Sequence, residues 1–344
     1  MRKLFFVYVL GFFASRMSFG ATMDVGGEVN VFTKISSKPS AKRGQVAFVL
    51  PSTLLNVDAT LDGQNSVFIE LQLSSERDNF NQKLPADLAK VFYQWISEGQ
   101  EVFFRYGLFR NFINENDSEI YNYDFFDELK MASRRFKYLP DADLGIEVHY
   151  LFSDFLSIGM GISNGEENKK EESGNQKDNY LVLDYNDSVF NLGIMYMDGS
   201  YDDYEKPFNL KERWIMKLGW NFGFLKMGLE ALRTQDAAIG VSQYHRAEGW
   251  DSTAFPEQVI SGEGGSLWLK FEVGEDKSLL FKGDFFDPNL SQKEDEIKSY
   301  QAFFEITKDA RSGFLGYSFT SYGQNHSKYS PEKEFAFVGV RQLF

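Results

Sequence analysis

The chain has no cysteine in 344 residues. Disulfides are therefore excluded, and so is lipid modification of an N-terminal Cys. Histidine is scarce, and His149, His245 and His326 share no metal-ligand spacing. No metal site and no cofactor are expected. After residue 20 there is also no apolar run of the roughly 20 residues that a membrane helix needs. Basic residues fall short of acidic ones, 36 against 50, for a formal net charge of −14. That balance argues against nucleic-acid binding.

One long apolar run is present, at the start. Met1-Arg2-Lys3 is a positive n-region, Leu4 to Ala14 is apolar, and Ser18-Phe19-Gly20 supplies small residues for a signal peptidase. Residues 1–20 are expected to be a secretory signal peptide cleaved after Gly20. They carry Arg2, Lys3 and Arg16 and no acid, so their removal takes the charge from −14 to −17. Residues 21–344 are expected to form a single domain.

Aromatics are abundant, at 17% with 35 Phe and 17 Tyr. Such an excess suits a membrane barrel, whose two interfaces are girdled by rings. Short period-two alternation recurs along the chain. Val67-Ile69-Leu71-Leu73, Val102-Phe104-Tyr106-Leu108, Leu144-Ile146-Val148-Tyr150, Leu156-Ile158-Met160-Ile162, Trp214-Met216-Leu218-Trp220 and Leu267-Leu269-Phe271-Val273 each form one apolar face. The opposite faces are mixed, small or charged. A soluble sandwich also alternates, so the connections must decide.

They come in two sizes. Asp62-Gly63-Gln64, Glu98-Gly99, Ser153-Asp154, Asn186-Asp187, Asn221-Phe222-Gly223, Gly274-Glu275-Asp276 and Lys308-Asp309 are tight polar turns between alternating segments, a hairpin signal. Between the hairpins lie long polar segments at 110–142, 164–179, 198–212, 233–264, 286–298 and 321–333. Every second connection thus lies at the same end, as in membrane barrels with short periplasmic turns and long outer loops. Seven hairpins plus a first and a last strand give a transmembrane antiparallel all-β barrel of about 16 strands. Residues 44–61 are the weakest stretch, because Pro51 cannot donate to a ladder. A loop followed by one strand, Leu54 to Leu61, is expected there.

The chain stops on VGVRQLF, Val338 to Phe344. Val338, Val340 and Phe344 share one face of a strand and Gly339 and Arg341 the other. The stretch resembles the C-terminal signature of Gram-negative outer-membrane porins, a Val-Gly-apolar run ending in Phe. Where that family usually has an aromatic three residues from the end, this chain has Gln342. Leu61-Asp62-Gly63 followed by Val67-Phe68-Ile69-Glu70-Leu71 resembles the phosphate-selective porin O and P type. So do Ala89 to Tyr93 leading into Phe104 to Phe109, and Gly159 to Gly165. The resemblance covers roughly 54–165 and the last strand. It implies a 16-stranded barrel in the outer membrane of a Gram-negative bacterium, a homotrimer in contact with outer-membrane lipid, and a pore narrowed by an inward-folded third loop.

Segment 110–142 is the candidate for that loop. Glu115, Asp117, Glu119, Asp124, Asp127 and Glu128 come first, and Arg134, Arg135 and Lys137 follow. Folded inward, it would set acids against a basic wall, for which Arg105, Arg213, Lys217 and Lys270 are the candidates, and make a transverse field at the pore constriction. The plainer alternative is a solvated outer loop. Phe344 is the candidate membrane anchor. Ser163 with His149 one strand away is weighed as a catalytic pair, but no third group is evident, and no enzyme activity is expected. The Asp-, Asn- and Glu-rich stretch Gly165 to Asp178 reads as a solvated loop rather than a calcium site. The expected function is passive diffusion of small hydrophilic solutes or ions. Two alternatives stay open: an anion- or phosphate-selective porin, and a structural or surface-interaction barrel without an open pore. The phosphate specificity is not carried over, because the basic lumen candidates are interleaved with Glu70, Glu101, Glu147 and Glu272.

Overall fold

The computed structural model describes residues 22–36, 46–49, 53–73, 86–114, 121, 123, 129–136, 138–165, 177–200, 210–237, 259–291, 293–323 and 332–344. The expected signal peptide and Pro51 lie outside these residues. The described strands are β1 (Thr22–Ser36), β2 (Val46–Val49), β3 (Thr53–Thr60), β4 (Asn65–Leu73), β5 (Ala86–Ile96), β6 (Val102–Phe109), β7 (Asp143–Ser153), β8 (Leu156–Ser163) and β9 (Asp178–Asn186). They continue as β10 (Phe190–Ser200), β11 (Leu210–Asn221), β12 (Leu225–Ala237), β13 (Val259–Gly274), β14 (Lys277–Asp287), β15 (Ile297–Lys308), β16 (Arg311–Tyr322) and β17 (Lys333–Leu343). One short helix, α1 (Ala132–Arg135), lies between β6 and β7.

Each strand from β3 onward pairs antiparallel with the next, and β17 returns to β1 in the register Val31↔Val340. The sheet is closed, so no edge is left unpaired. β2 and β3 both pair with β1, at Phe32↔Val49 and Val29↔Thr53. They are two pieces of one stave, so the 17 strands of the sheet make a barrel of 16 staves. The expected strand from Leu54 to Leu61 is β3, displaced by one residue.

All seven tight turns join neighbouring strands at one end of the barrel. Their polar side chains close them: Asp62 Oδ1 accepts from the Gln64 and Asn65 amides at 2.9 Å, and Asp187 Oδ1 from the Val189 and Phe190 amides at 2.7 and 2.8 Å. Those amides hold both carboxyls below their ordinary range. At the seam, the Phe344 amide donates to the Gly27 carbonyl at 3.1 Å and the Gly27 amide to the Phe344 carbonyl at 2.9 Å.

Alternation sends one face out and one in. Leu144, Ile146, Val148, Met160, Ile162, Leu267, Val338 and Val340 are exposed on the outside. Their neighbours Asp143, Glu147, His149, Ser157, Ser163, Ser266 and Arg341 are buried on the inside. An apolar exterior around a polar interior is the reverse of a soluble domain and matches a barrel in lipid. No helix among the described residues is long and apolar enough to cross a membrane.

The aromatics correct one expectation. Many of them do lie outside, but a second population faces inward. Phe32, Tyr121, Tyr123, Trp268, Phe303, Phe314, Phe335 and Phe337 form one buried cluster with Leu129, Met131 and Leu280. A second gathers Ile113, Tyr138, Leu139, Tyr180, Met195, Met197, Ile215 and Phe286. The excess of rings therefore serves an internal core as well as the interfaces.

Candidate functional site

The internal core exists because described residues of 110–142 cross the lumen and pack on the inner wall. Beyond β6 the chain makes one helical turn, 112–114. The Phe112 amide donates to Glu147 Oε2 at 3.3 Å, and its ring lies 4.2 Å from that of His149. Further on, Tyr121 meets Trp268 at 5.1 Å and Tyr123 meets Phe303 at 5.0 Å. The Tyr123 hydroxyl donates to Glu305 Oε2 at 2.6 Å. Phe136 stacks on Phe286 at 4.7 Å.

Three wall carboxylates hold the return limb. Glu230 accepts from both the amide and the hydroxyl of Ser133, each at 2.7 Å. Lys217, directly opposite Glu230 in the ladder, sits 3.5 Å from it. Its ammonium also donates to the Ile113 carbonyl at 3.2 Å and to Asn114 Oδ1 at 3.3 Å. This one cross-strand pair thus grips both limbs of the loop. Asp284 takes Arg135 at 2.6 Å and Ser266 at 2.7 Å, with Lys282 paired to it as well. Ser266 Oγ in turn accepts the Ala132 amide at 2.8 Å. Glu305 completes the set through Tyr123. Breaking a buried pair of this kind costs about 3–5 kcal/mol, because the surviving charge stays buried.

The predicted residues separate into groups. Arg213 is fully buried, 2.6 Å from Asp236 and 4.8 Å over the Tyr138 ring. It meets the loop rather than open lumen, as does Lys217. Lys270 lies 3.5 Å from Glu272 and 3.6 Å from Glu305, over the Tyr123 ring at 5.4 Å. Arg134 and Lys130 converge on Asp141, at 2.7 and 2.8 Å. Packing around Asp141 alone would raise its carboxyl, but the charges of Arg134, Lys130 and Arg110 outweigh this and hold it well below the usual carboxylate range. Arg105 stands apart on the inner face of β6. Its guanidinium lies 5.1 Å from the Phe92 ring and 5.2 Å from the Phe103 ring, and Nε donates to Gln94 at 2.8 Å. Glu119, Asp124, Asp127, Glu128 and Lys137 lie outside the described residues.

Ser163 and His149 do not meet. Ser163 pairs with Gly145, four residues along β7 from His149, roughly 13 Å at strand rise. His149 instead lies flat on Gly159, where a Cβ would come within 2.2 Å of its ring, and against Glu147 at 3.0 Å. Gly161 likewise makes room for the Tyr180 ring, whose hydroxyl donates to Glu147 at 2.8 Å. These glycines are small because rings cover them, not because a turn needs them.

The inner wall is unevenly covered. On β9 to β16 inward residues such as Met195, Ile215, Glu230, Leu280, Ser299 and Thr320 are buried to 3% exposure or less. On β3 to β6, Asn56, Phe68, Lys90, Gln94 and Arg105 remain half-buried and Asp58 is exposed. Among the described residues the less covered stretch of the inner wall lies along β3 to β6, although Glu70, Phe92 and Phe109 there are buried.

The anchors Glu230, Asp284, Glu305 and Asp141 escaped the sequence reading. The first three stand at inward positions of strands, and Glu230 interrupts Gly228-Glu230-Leu232 opposite the apolar Met227-Leu229-Ala231. An acid at such a position was the available signal.

No known protein family profile matches the chain. No curated protein matches it either. Solved structures do. An anion-selective porin from Comamonas acidovorans superposes with a TM-score of 0.67 at 10% identity, over 94% of this chain and 100% of its own. OmpF of Salmonella typhi gives 0.68 at 11% identity, over 94% and 98%. The outer-membrane channel DcaP of Acinetobacter baumannii gives 0.63 at 10%, over 94% and 98%. At such identities the likeness is one of fold.

Proposed function

We propose that this chain is an outer-membrane porin, a water-filled passage for passive diffusion of small hydrophilic solutes and ions. The observation that carries it is the uneven lumen: among the described residues a loop packs over one side of a closed barrel, while Asn56, Lys90, Gln94 and Arg105 on β3 to β6 stay half-buried and Asp58 is exposed. Half-buried Arg105, Lys90 and Gln94 line this inner face with polar groups. Solved neighbours of the same fold are channels by name, and the tight turns would face the periplasm with the long segments outside. The wall does its work by geometry and charge, without a reacting group.

A second reading, selectivity for anions, is favoured by one specific feature. Arg110, Lys130 and Arg134 gather around the carboxylate of Asp141 in the 110–142 segment, a concentration of basic side chains of the kind that ranks ions in a pore. The resemblance to the phosphate-selective O and P type supports the same direction. Arg105 is the only arginine on β3 to β6, however, so a ladder of arginines along that wall is not part of the proposal. The assembly we propose is a homotrimer; one neighbour of this fold, OmpT of Vibrio cholerae, was solved in a trimer form.

Purified protein in a planar bilayer tests the reading. Steady open steps in potassium chloride are expected, with a reversal potential of anionic sign in a salt gradient. A protein that inserts but passes no current would refute the pore. A cationic reversal potential would refute the second reading alone.

A further inference from the structure

At the end of the barrel opposite the tight turns, β14 and β15 are joined through residues 288–296. Asp295 in this connection is only 1% exposed, and neither of its carboxylate oxygens receives a hydrogen bond among the described residues. Its carboxyl meets that of Asp287, the last residue of β14. More acids surround the pair: Glu263 is the ladder partner of Asp287, and Glu296 follows Asp295. Lys298 and Arg233 go to those two, at 3.2 Å from Glu296 and 4.0 Å from Glu263. The main chain fixes the central pair. Glu294 takes a φ of 65°, uncommon for a residue with a Cβ, just before Asp295. The Gly323 amide donates to the Glu296 carbonyl at 2.8 Å, and a Cβ at Gly323 would strike the Glu294 carbonyl. Asp287 Oδ1 accepts the Asn289 amide at 3.1 Å.

A buried carboxylate that receives no hydrogen bond is costly, and one that also touches a second carboxylate is more so. Something positive must stand between the two. In acid a proton does. At neutral pH and above the chemistry fits a hard divalent cation, because the donors are carboxylate and main-chain oxygens. Among the described residues no three His, Asp or Glu side chains converge as a metal site, so the shell would be two carboxylates completed by main-chain oxygens and water. Calcium accepts such an irregular oxygen shell. Magnesium demands an octahedron and gives up its waters reluctantly.

We propose that Asp287 and Asp295 bind one calcium ion at this rim, tying the β14–β15 connection to the end of β14. Purified protein in detergent at pH 8, stripped of divalent ions, is titrated calorimetrically with calcium chloride. One saturable site per chain is expected, with a Kd of roughly 10⁻⁴ to 10⁻³ M, the range of extracellular calcium modules. Asp295→Asn and Asp287→Asn should each abolish it. Glu98→Gln, on a tight turn at the far end, should keep it. Thermal unfolding gives a second readout. In chelator, Asp295→Asn should melt above the parent, because the repulsion is gone. Calcium should raise the parent by several degrees and leave the variant where it was, closing or reversing that gap. Magnesium at the same concentration should do less. No saturable uptake by the parent, or equal uptake by both Asn variants, would overturn the proposal. So would an equal rise of the parent in potassium chloride of matched ionic strength, which is screening alone. Binding is read without current, so neither result bears on the pore.

Discussion

The inner wall of this barrel has two sectors, and the same residue types behave differently in each. On β9 to β16 a charged side chain is covered by the loop and has a fixed partner: Glu230 with Ser133 and Lys217, Asp284 with Arg135, Arg213 with Asp236. On β3 to β6 Asp58 is exposed and Arg105 half-buried. Arg105 leans on two rings and a neutral amide, and Lys90 pairs with Glu70 at 3.2 Å while lying 5.5 Å over the Phe68 ring. Cation–ring contacts add to these polar contacts in holding the two side chains in place. Position on a strand decides only whether a side chain faces inward. What lies over it decides whether it is fixed by the loop or stays partly open to the lumen.

The largest expected effect comes from breaking the covered sector. Glu230→Ala removes the acceptor of two Ser133 bonds and strands Lys217 in a buried site. A loss of about 3–5 kcal/mol is expected for that anchor, with the loop partly released. The heat-induced mobility shift of the barrel should occur at lower temperature, and single-channel traces should become noisier and larger in amplitude. Glu230→Gln keeps an acceptor for Ser133 and should fall between. Quiet traces of unchanged size from Glu230→Ala would mean that the loop is held elsewhere.

A smaller effect is expected from charge reversal, and it sharpens the contrast. Arg105→Glu lies on the less covered stretch of the wall and should move the reversal potential toward cations without changing thermal behaviour. Arg134 and Arg135 changed together to Glu should move it further at low salt, since a charge near a narrow passage is weakly screened, but this change also breaks the Asp284 anchor. Lys169 and Lys170 changed together to Glu, in the segment 164–179 read from sequence as an outer loop, should do little. Equal shifts from the two double variants would show that 110–142 does not line the passage.

The strands were legible because their period-two pattern is imposed by the barrel itself. Each of the six alternations from Val67 to Val273 has the predicted face outward, and every tight turn falls where its Asp, Asn or Gly stands. The last strand was readable for the same reason: Val338 and Val340 out, Gly339 and Arg341 in. The interior was not. Phe303, Phe314 and Phe337 read as ordinary strand rings, and only a loop brought in from 110–142 makes them a core. The bond from Lys217 to the Ile113 carbonyl joins residues about a hundred positions apart, for which the local pattern holds no signal. Arg213 reads as a lumen charge by parity, yet Tyr138 and Asp236 cover it.

The smallest effect is expected at the rim of the covered sector. Asp295 lies in the connection between β14 and β15 and is only 1% exposed. Burial, then the nearby charge of Asp287, pushes its carboxyl up to about 7. A carboxyl raised in the folded state is held protonated there and ionised in the unfolded chain between the two values. The unfolded chain therefore binds fewer protons over that window, and stability falls as the pH rises from about 4 to about 7. Below the window no penalty exists; above it the penalty is complete. Asp295→Asn keeps the shape and removes the titration. Its unfolding midpoint should match the parent at pH 4 and exceed it at pH 8 by a few degrees, on the scale of roughly 2–4 °C per kcal/mol for a large domain. The single-channel conductance and reversal potential should stay unchanged at both pH values, because the rim of the covered sector does not face the passage. A change in selectivity with pH that Asp295→Asn abolishes would place Asp295 beside the solute path and end the division between the two sectors at that rim.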